Sequence, residues 1–373
     1  RRIVMAERKR NANMELLRII AMAMIVVLHF FKHSGYLPES SVAVEGASLN
    51  GLNIIAIVME SFCIVAVNVY LLISGYFSID SKWKPSKLLG FLCRVWFYTL
   101  LIPIAVACMG IPILAEEEGI YGLLKYILPV GTSHYWFVTC YFQLLLLMPL
   151  LNHAVKAMTG KQLKTVLLAL LIPVCFIKSI CPIEMVTDNY GYDLLWFICL
   201  YLTGAYLRSL GEQTLDLLKK KGLFLYIGSC LITAVMVILL YGLLGRIPAL
   251  RYYASVPWHY NFLLCFTGAI GLFLAFMNLE LTEGKGAENI RKVAKYSFGI
   301  YLFHEHLDIQ DLWYPFLTGM VNPTHKDSVP MLFAGLLTCL VVIYGVGLCI
   351  DFVRSILFGL VTKRRRGSDE EAE

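Results

Sequence analysis

Charge is scarce in this sequence. Asp, Glu, Lys and Arg make up 16% of its 373 residues, whereas 58% are hydrophobic. A soluble globular chain is about 25% charged and roughly 45–50% apolar. With a mean hydropathy of +0.70, a water-soluble globular domain is excluded and an integral membrane protein is predicted. Cysteine spacings of the metal or disulfide kind are also missing. No CxxC or Cys/His pairing occurs among the 11 cysteines, and all but Cys181 fall in or at the ends of apolar runs, where cysteine behaves as a small hydrophobe. The opening RRIVMAERKRN lacks the short apolar core and small-residue cleavage site of a removable signal, so the first apolar segment is expected to stay. No internal repeat is evident, nor a pair of matching interrupted helices of the kind that marks many transporters. Long polar segments are lacking too. Short loops and the tail RRRGSDEEAE are all that lies between or beyond the apolar runs, so the chemistry is expected in or beside the membrane.

What is there is a series of apolar runs. A spanning helix needs about 20 mostly apolar residues. Ten candidates meet this: 14–33, 51–77, 88–110, 134–153, 163–180, 193–210, 222–244, 258–279, 288–306 and 329–361. The ninth is the least hydrophobic. Placing residues 1–13 in the cytoplasm puts 23 of the 32 Lys and Arg in inside segments. Only Lys125, Arg246, Arg251 and Lys326 fall in outside connections. That asymmetry follows the positive-inside rule, and the even number of spans returns the C-terminus to the cytoplasm. The predicted organisation is a cytoplasmic segment 1–13, a ten-helix membrane domain 14–361 and a charged cytoplasmic tail 362–373. The fold class is all-α, multi-pass. The net charge of +6 reflects topology, and nucleic acid is not an expected partner. KKK at 219–221 and KRRR at 363–366 read as topology signals and contacts to anionic lipid.

The first run, LLRIIAMAMIVVLHF, carries Arg18 and His29. Eleven residues at 100° each make about 1100°, some 20° from whole turns, so both project from one helix face about 16.5 Å apart. Glu15 stands one turn before Arg18 and can pair with it. A snorkelling arginine and a structural histidine are the plain alternatives. Ionisable groups within spans are rare, however, and usually functional. The spacing suits an extended, phosphorylated cofactor entering from the cytoplasm. A guanidinium makes forked bonds to phosphate oxygens, and a neutral imidazole deeper in the membrane can take a proton from an attacking hydroxyl.

The R-x10-H pattern, within NMELLRIIAMAMIVVLHF, resembles the first helix of the acyltransferase 3 family of membrane acyltransferases. Three further stretches resemble that family in order: NVYLLISGYF (68–77), HYWFVTCYFQLLLLMPLL (134–151) and YSFGIYLFHEHL (296–307). The resemblance implies a ten-helix bundle moving an acyl group, usually acetyl, from cytoplasmic acyl-CoA to a surface glycan or lipid-linked sugar outside. It implies that Arg18 and His29 are the essential pair. No metal is expected, since no recognised ligand spacing occurs. An Arg-x-x-Arg pair common after the family's second helix is not matched here. KLLGFLCRVWF offers Arg94 alone, with Lys82, Lys84 and Lys87 nearby, and Arg94 is the expected CoA contact on this segment. No fused hydrolase-like domain is found.

Other residues join as candidates. Glu60, inside the second span, is expected to orient or charge His29 as a carboxylate does for a catalytic imidazole, with a structural bond as the alternative. Ser74 and Asn68 read as packing glue. Ser297, Tyr301 and His304 share a face of the ninth span. Tyr301 is a candidate for cofactor or acceptor contact and His304 for the acceptor mouth, against plain interhelical bonds. Trp136 reads as a belt aromatic, raised by the resemblance to a substrate contact. In HEHLDIQD, His304, His306 and Asp308 stand close together but match no metal-binding spacing such as H-E-x-x-H. The leading expectation is an O-acyltransferase of the plasma membrane, with a homo-oligomer permitted. A transporter or flippase for a lipid-linked glycan is the alternative, because buried Arg, His and Glu also suit proton coupling.

Overall fold

The computed structural model describes residues 11–38, 48–132, 134–244, 246–323 and 327–370. The basic run within 1–10 and Lys326 lie outside the described residues. So do the last three residues of the tail, and the side chains of KRRR at 363–366. The described residues form helices and no strands. Every backbone group must find a partner within the chain where no water is available, and a helix meets that need locally.

The chain begins with α1 (Ala12–Ser34), capped by Asn11 and ended by Gly35 in the left-handed conformation. A single span, Gly51–Ser78, follows as α2 (Gly51–Cys63) and α3 (Ala66–Ser78). Then come α4 (Pro85–Cys108), the short pair α5 (Leu114–Glu118) and α6 (Ile120–Ile127), and α7 (Trp136–Ala157). Next is α8 (Gly160–Leu171), prolonged through a wide π turn at Ile172–Ile177 that accommodates Pro173. The second half holds α9 (Leu194–Ser209), α10 (Glu212–Leu244), α11 (Leu263–Asn278), α12 (Lys285–Ala294), α13 (Ser297–His304), α14 (Trp313–Val321) and α15 (Val329–Glu370).

Among the described residues, eight helical segments are long and apolar enough to cross a membrane, by length and composition. The predicted count of ten differs at two places. The 193–210 run forms α9, apolar but of only 16 residues. The 288–306 run is not one helix: it breaks at Lys295 and Tyr296 into polar α12 and apolar α13. Its first half, KGAENIRKVA, is too polar to sit in hydrocarbon, and only SFGIYLFH enters the core.

Burial separates inner from outer helices. Most of α1, of the α2–α3 span and of the span ending in α11 is buried. By contrast α7, α10 and α15 expose Leu150, Phe224 and Leu337 to the surroundings, as lipid-facing helices do. Where lipid replaces water, apolar side chains gain little by turning inward, and helices associate by close contact at small residues. Two crossings show this. A Cβ at Gly75 of α3 would lie 2.0 Å from the Tyr201 carbonyl oxygen of α9, and one at Gly204 would lie 2.4 Å from that of Leu72. At the α10–α11 crossing, Gly222 and Gly271 meet backbone at 2.5 Å in the same way.

Gly75→Ala is therefore expected to destabilise by about 2 kcal/mol or more, since backbone cannot yield to a new methyl. Gly228→Ala, with nothing within 4 Å of the added carbon, should stay within about 0.5 kcal/mol of the parent. Melting curves of the purified variants would decide, and equal melting of the two would contradict the close crossing.

Candidate active site

His29 lies near the C-terminal end of α1, on the wall of a small, partly open cavity. Four other segments complete the wall: α3 with Val67 and Tyr70, α7 with Trp136 and Phe137, the approach to α11 with Tyr260, and α13 with Phe298 and Tyr301. The lining is aromatic because these rings pack on one another. Trp136 stacks on Tyr260 at 5.6 Å, and Phe298 on Tyr301 at 6.0 Å.

The hydrogen bonds of His29 define its state. Its Nδ1 is 2.8 Å from Nε2 of His304. The other nitrogen of His304, Nδ1, is 2.6 Å from the carbonyl oxygen of Ile300 one turn earlier. A carbonyl only accepts, so His304 Nδ1 carries the proton, and in the neutral ring Nε2 is an acceptor. His29 Nδ1 must then be the donor. The proton of a neutral His29 is thereby placed on Nδ1, and its Nε2 keeps a free lone pair. That atom has no hydrogen-bond partner among the described residues.

A carboxylate stands beside this pair. Oε1 of Glu305 is 3.2 Å from His29 Nδ1, within ion-pair range. Glu305 caps α13, with its backbone N–H bonded to the Tyr301 carbonyl at 3.1 Å. The helix end thus delivers His304 and Glu305 to one imidazole. Glu305, rather than the expected Glu60, is the carboxylate paired with His29 among the described residues. Glu60 is buried in α2, its Oε2 has no hydrogen-bond partner, and it makes no contact with His29 among the described residues. The signal for Glu305 was the Glu of HEHLDIQD, flanked by the histidines that drew the metal reading. His304 also differs from expectation: it is fully buried behind His29 and does not line the cavity. Tyr301 and Trp136 do line it.

Arg18 pairs with Glu15 as the one-turn spacing predicts, and its side chain stays 27% exposed. Its backbone carbonyl accepts a 2.6 Å bond from the hydroxyl of Tyr70, a cavity residue. Arg94 is placed otherwise than expected. Its guanidinium grips the buried Asp351 of α15 through Nε at 3.2 Å and a terminal nitrogen at 2.8 Å. Asp351 also accepts from Arg354, at 2.7 and 3.0 Å, and from the Tyr98 hydroxyl at 3.1 Å. Arg354, 260 positions on, thus faces Arg94 across Asp351. Arg94 also lies 5.2 Å from the ring centre of Phe298, on the cavity wall. Gly299 permits this cluster, because a Cβ there would lie 2.3 Å from the Tyr98 hydroxyl and 2.5 Å from the Asp351 Cβ.

The remaining sequence candidates are structural. Asn68 donates to the Tyr260 carbonyl at 2.8 Å and accepts from Trp196 Nε1 at 3.0 Å. Ser74 bonds the Tyr70 carbonyl at 2.9 Å, and Ser297 that of Ala294. His306 and Asp308 turn away from His304. Asp308 accepts from the Tyr126 hydroxyl and the Leu114 N–H at 2.8 Å, fastening α5 and α6. Burial and that carboxylate raise the Tyr126 phenol above its ordinary pKa, which keeps it a donor. A second cavity, of about 680 Å³, lies beyond Phe30 between Tyr36, Tyr314 and Asp327. There burial and the Asp327 carboxylate, 2.8 Å away, push the Tyr36 phenol up to about 12.

Comparison with known proteins found no match among curated proteins or solved structures. A family model did match, the acyltransferase domain of the acyltransferase 3 family, over residues 11–350. That span holds the whole His29–His304–Glu305 cluster and reaches within one residue of Asp351. The chain therefore belongs to the acyltransferase 3 family and is a membrane acyltransferase.

Proposed function

We propose that this protein is an acyl-CoA-dependent O-acyltransferase of the plasma membrane, moving an acetyl or similar group to a hydroxyl of an extracytoplasmic or lipid-linked glycan. The observation that carries the reading is the free Nε2 of His29 on an aromatic-walled cavity. A hydroxyl bound there gives its proton to Nε2 as its oxygen attacks the thioester carbonyl. The tetrahedral adduct collapses, the C–S bond breaks, and the proton passes from His29 to the departing CoA thiolate. The transient imidazolium is favoured by Glu305 beside Nδ1, and general-base help of this kind is worth about 10²- to 10⁴-fold.

Arg18 holds the phosphorylated end of the donor. Its distance along α1 from His29, about 16.5 Å, matches an extended pantetheine arm, and Tyr70 ties its turn to the cavity wall. Arg94 and Arg354 share one buried aspartate, which leaves the cluster a net positive charge near the same end. The distribution of Lys and Arg supports a cytoplasmic side for that end and for both ends of the membrane domain. Trp136 and Tyr260 offer flat faces to a sugar ring, and Tyr301 closes the wall between donor and acceptor.

Release of CoA thiol by purified protein, supplied with acetyl-CoA and a mixed-glycan acceptor preparation, tests the reading. His29→Ala should lose at least about 10²-fold in turnover. Arg18→Ala should weaken acyl-CoA binding by about 10- to 100-fold, the loss of a charged hydrogen bond. Wild-type turnover in a folded His29→Ala protein would overturn the assignment, and acyl-CoA failing to bind would favour a transporter.

Orientation is tested separately. In a background without native cysteines, a cysteine placed at Glu117 should react with an impermeant maleimide on intact cells, and one at Lys285 should react only after lysis. The reverse pattern would invert the topology.

A further inference from the structure

The geometry points to a second property of the His29 cluster: we propose that His29, His304 and Glu305 form a binding site for a zinc-type dication, whose occupancy switches the base off. Its ligand atoms, His29 Nδ1, His304 Nε2 and the Glu305 carboxylate, all lie within 4.8 Å of one another. Two neutral imidazoles and one carboxylate are a common donor set for zinc that leaves a fourth position open.

Two independent features support a cation here. Oε1 of Glu305 is buried and has no hydrogen-bond partner, although it stands 3.2 Å from His29 Nδ1. His29 directs its proton at His304 instead, which leaves that carboxylate oxygen without a partner beside the two rings. In addition, His304 already bonds a backbone carbonyl through Nδ1, the contact that orients a metal-bound imidazole and presents its other nitrogen. A zinc ion sits about 2.0–2.1 Å from each nitrogen. At a tetrahedral angle this needs the nitrogens roughly 0.5 Å further apart than their 2.8 Å separation, a small rotation of one ring.

The switch follows from proton accounting. In the metal-free site His29 carries its single proton on Nδ1 and a lone pair on Nε2. A metal at Nδ1 needs a lone pair on that atom, so the proton moves from Nδ1 to Nε2. No proton is gained or lost overall, but Nε2 changes from acceptor to donor. A ring in that state cannot remove a proton from a hydroxyl. The site itself is independent of the acyl-transfer reading, and only the inhibition rests on it.

The test uses purified full-length protein with Zn²⁺, and Co²⁺ as a spectroscopic substitute. After desalting, metal analysis should give one Zn²⁺ per chain. Co²⁺ should give the visible absorption of a four-coordinate site. Both signals should be lost in Glu305→Gln and in His304→Ala, and both kept in His306→Gln, with melting curves showing that each variant is folded. If His304→Ala does not fold, Glu305→Gln alone decides. Absence of stoichiometric metal in the wild type, or its retention in Glu305→Gln, would overturn the site. Where thiol release is measurable, saturating Zn²⁺ should lower it at least tenfold, with recovery on adding a chelator. Unchanged or increased turnover would overturn the inhibitory role while leaving the site. Metal binding without any acyl transfer would count against the enzymatic reading alone.

Discussion

The contact between His29 and His304 governs the site. Away from water, a ring nitrogen does what its neighbour allows, because a mismatched donor or acceptor costs about 1–3 kcal/mol. The carbonyl of Ile300 sets the proton of His304, and His304 sets that of His29. One backbone oxygen thus decides, through two rings, that His29 keeps its lone pair on Nε2. An imidazole in an exposed loop would exchange between its two tautomers, and neither nitrogen would be reserved for chemistry.

Holding two rings in register demands that α1 and α13 not slide. At its N-terminal half α1 is held by the Tyr70 and Tyr344 hydroxyls, which bond the carbonyls of Arg18 and Ile19. The short α13 is held by close packing: Gly299 against Asp351 and Tyr98, and Gly347 of α15 against the backbone of Ile300. Asp351 has two arginines and a tyrosine as partners. A buried ionic cluster of that kind contributes little net stability, yet removing one member costs about 3–5 kcal/mol. Its effect is to fix position. It sets the helix that carries Tyr301, His304 and Glu305 against its neighbours, on the side where Arg94 meets Phe298.

Glu60 and Glu305 show what a linear pattern can mislead about. Glu60 draws attention because a carboxylate inside an apolar run is costly, and its place within the second span gives only its depth. Depth says nothing of azimuth, and no hydrogen bond or ion pair joins Glu60 to His29 among the described residues. Glu305 was hidden by its setting in HEHLDIQD, where His304, His306 and Asp308 drew the metal reading. It became the partner because α13 ends there, and a helix end can aim its last residues at a neighbour. Arg94 is a similar case. Its charge was legible, but the aspartate that neutralises it comes from the last long helix.

Much was determined by the sequence alone. Hydropathy is a sum over neighbours in the chain, so the apolar runs and the all-helical class follow directly. Periodicity is equally local, so the stripe of Glu15, Arg18 and His29 on one helix, and the pairing of the first two, could be read before any fold was known. Asn68 as interhelical glue followed from the cost of a lone amide in an apolar span. Contacts between helices are not local. Which ring faces His29, which carboxylate accompanies it, and that the ninth run breaks into two helices were decided only in the tertiary structure. Those choices depend on the rotation of each helix about its axis, set by close approaches at glycines and by hydrogen bonds to residues hundreds of positions away, and no single segment contains that information.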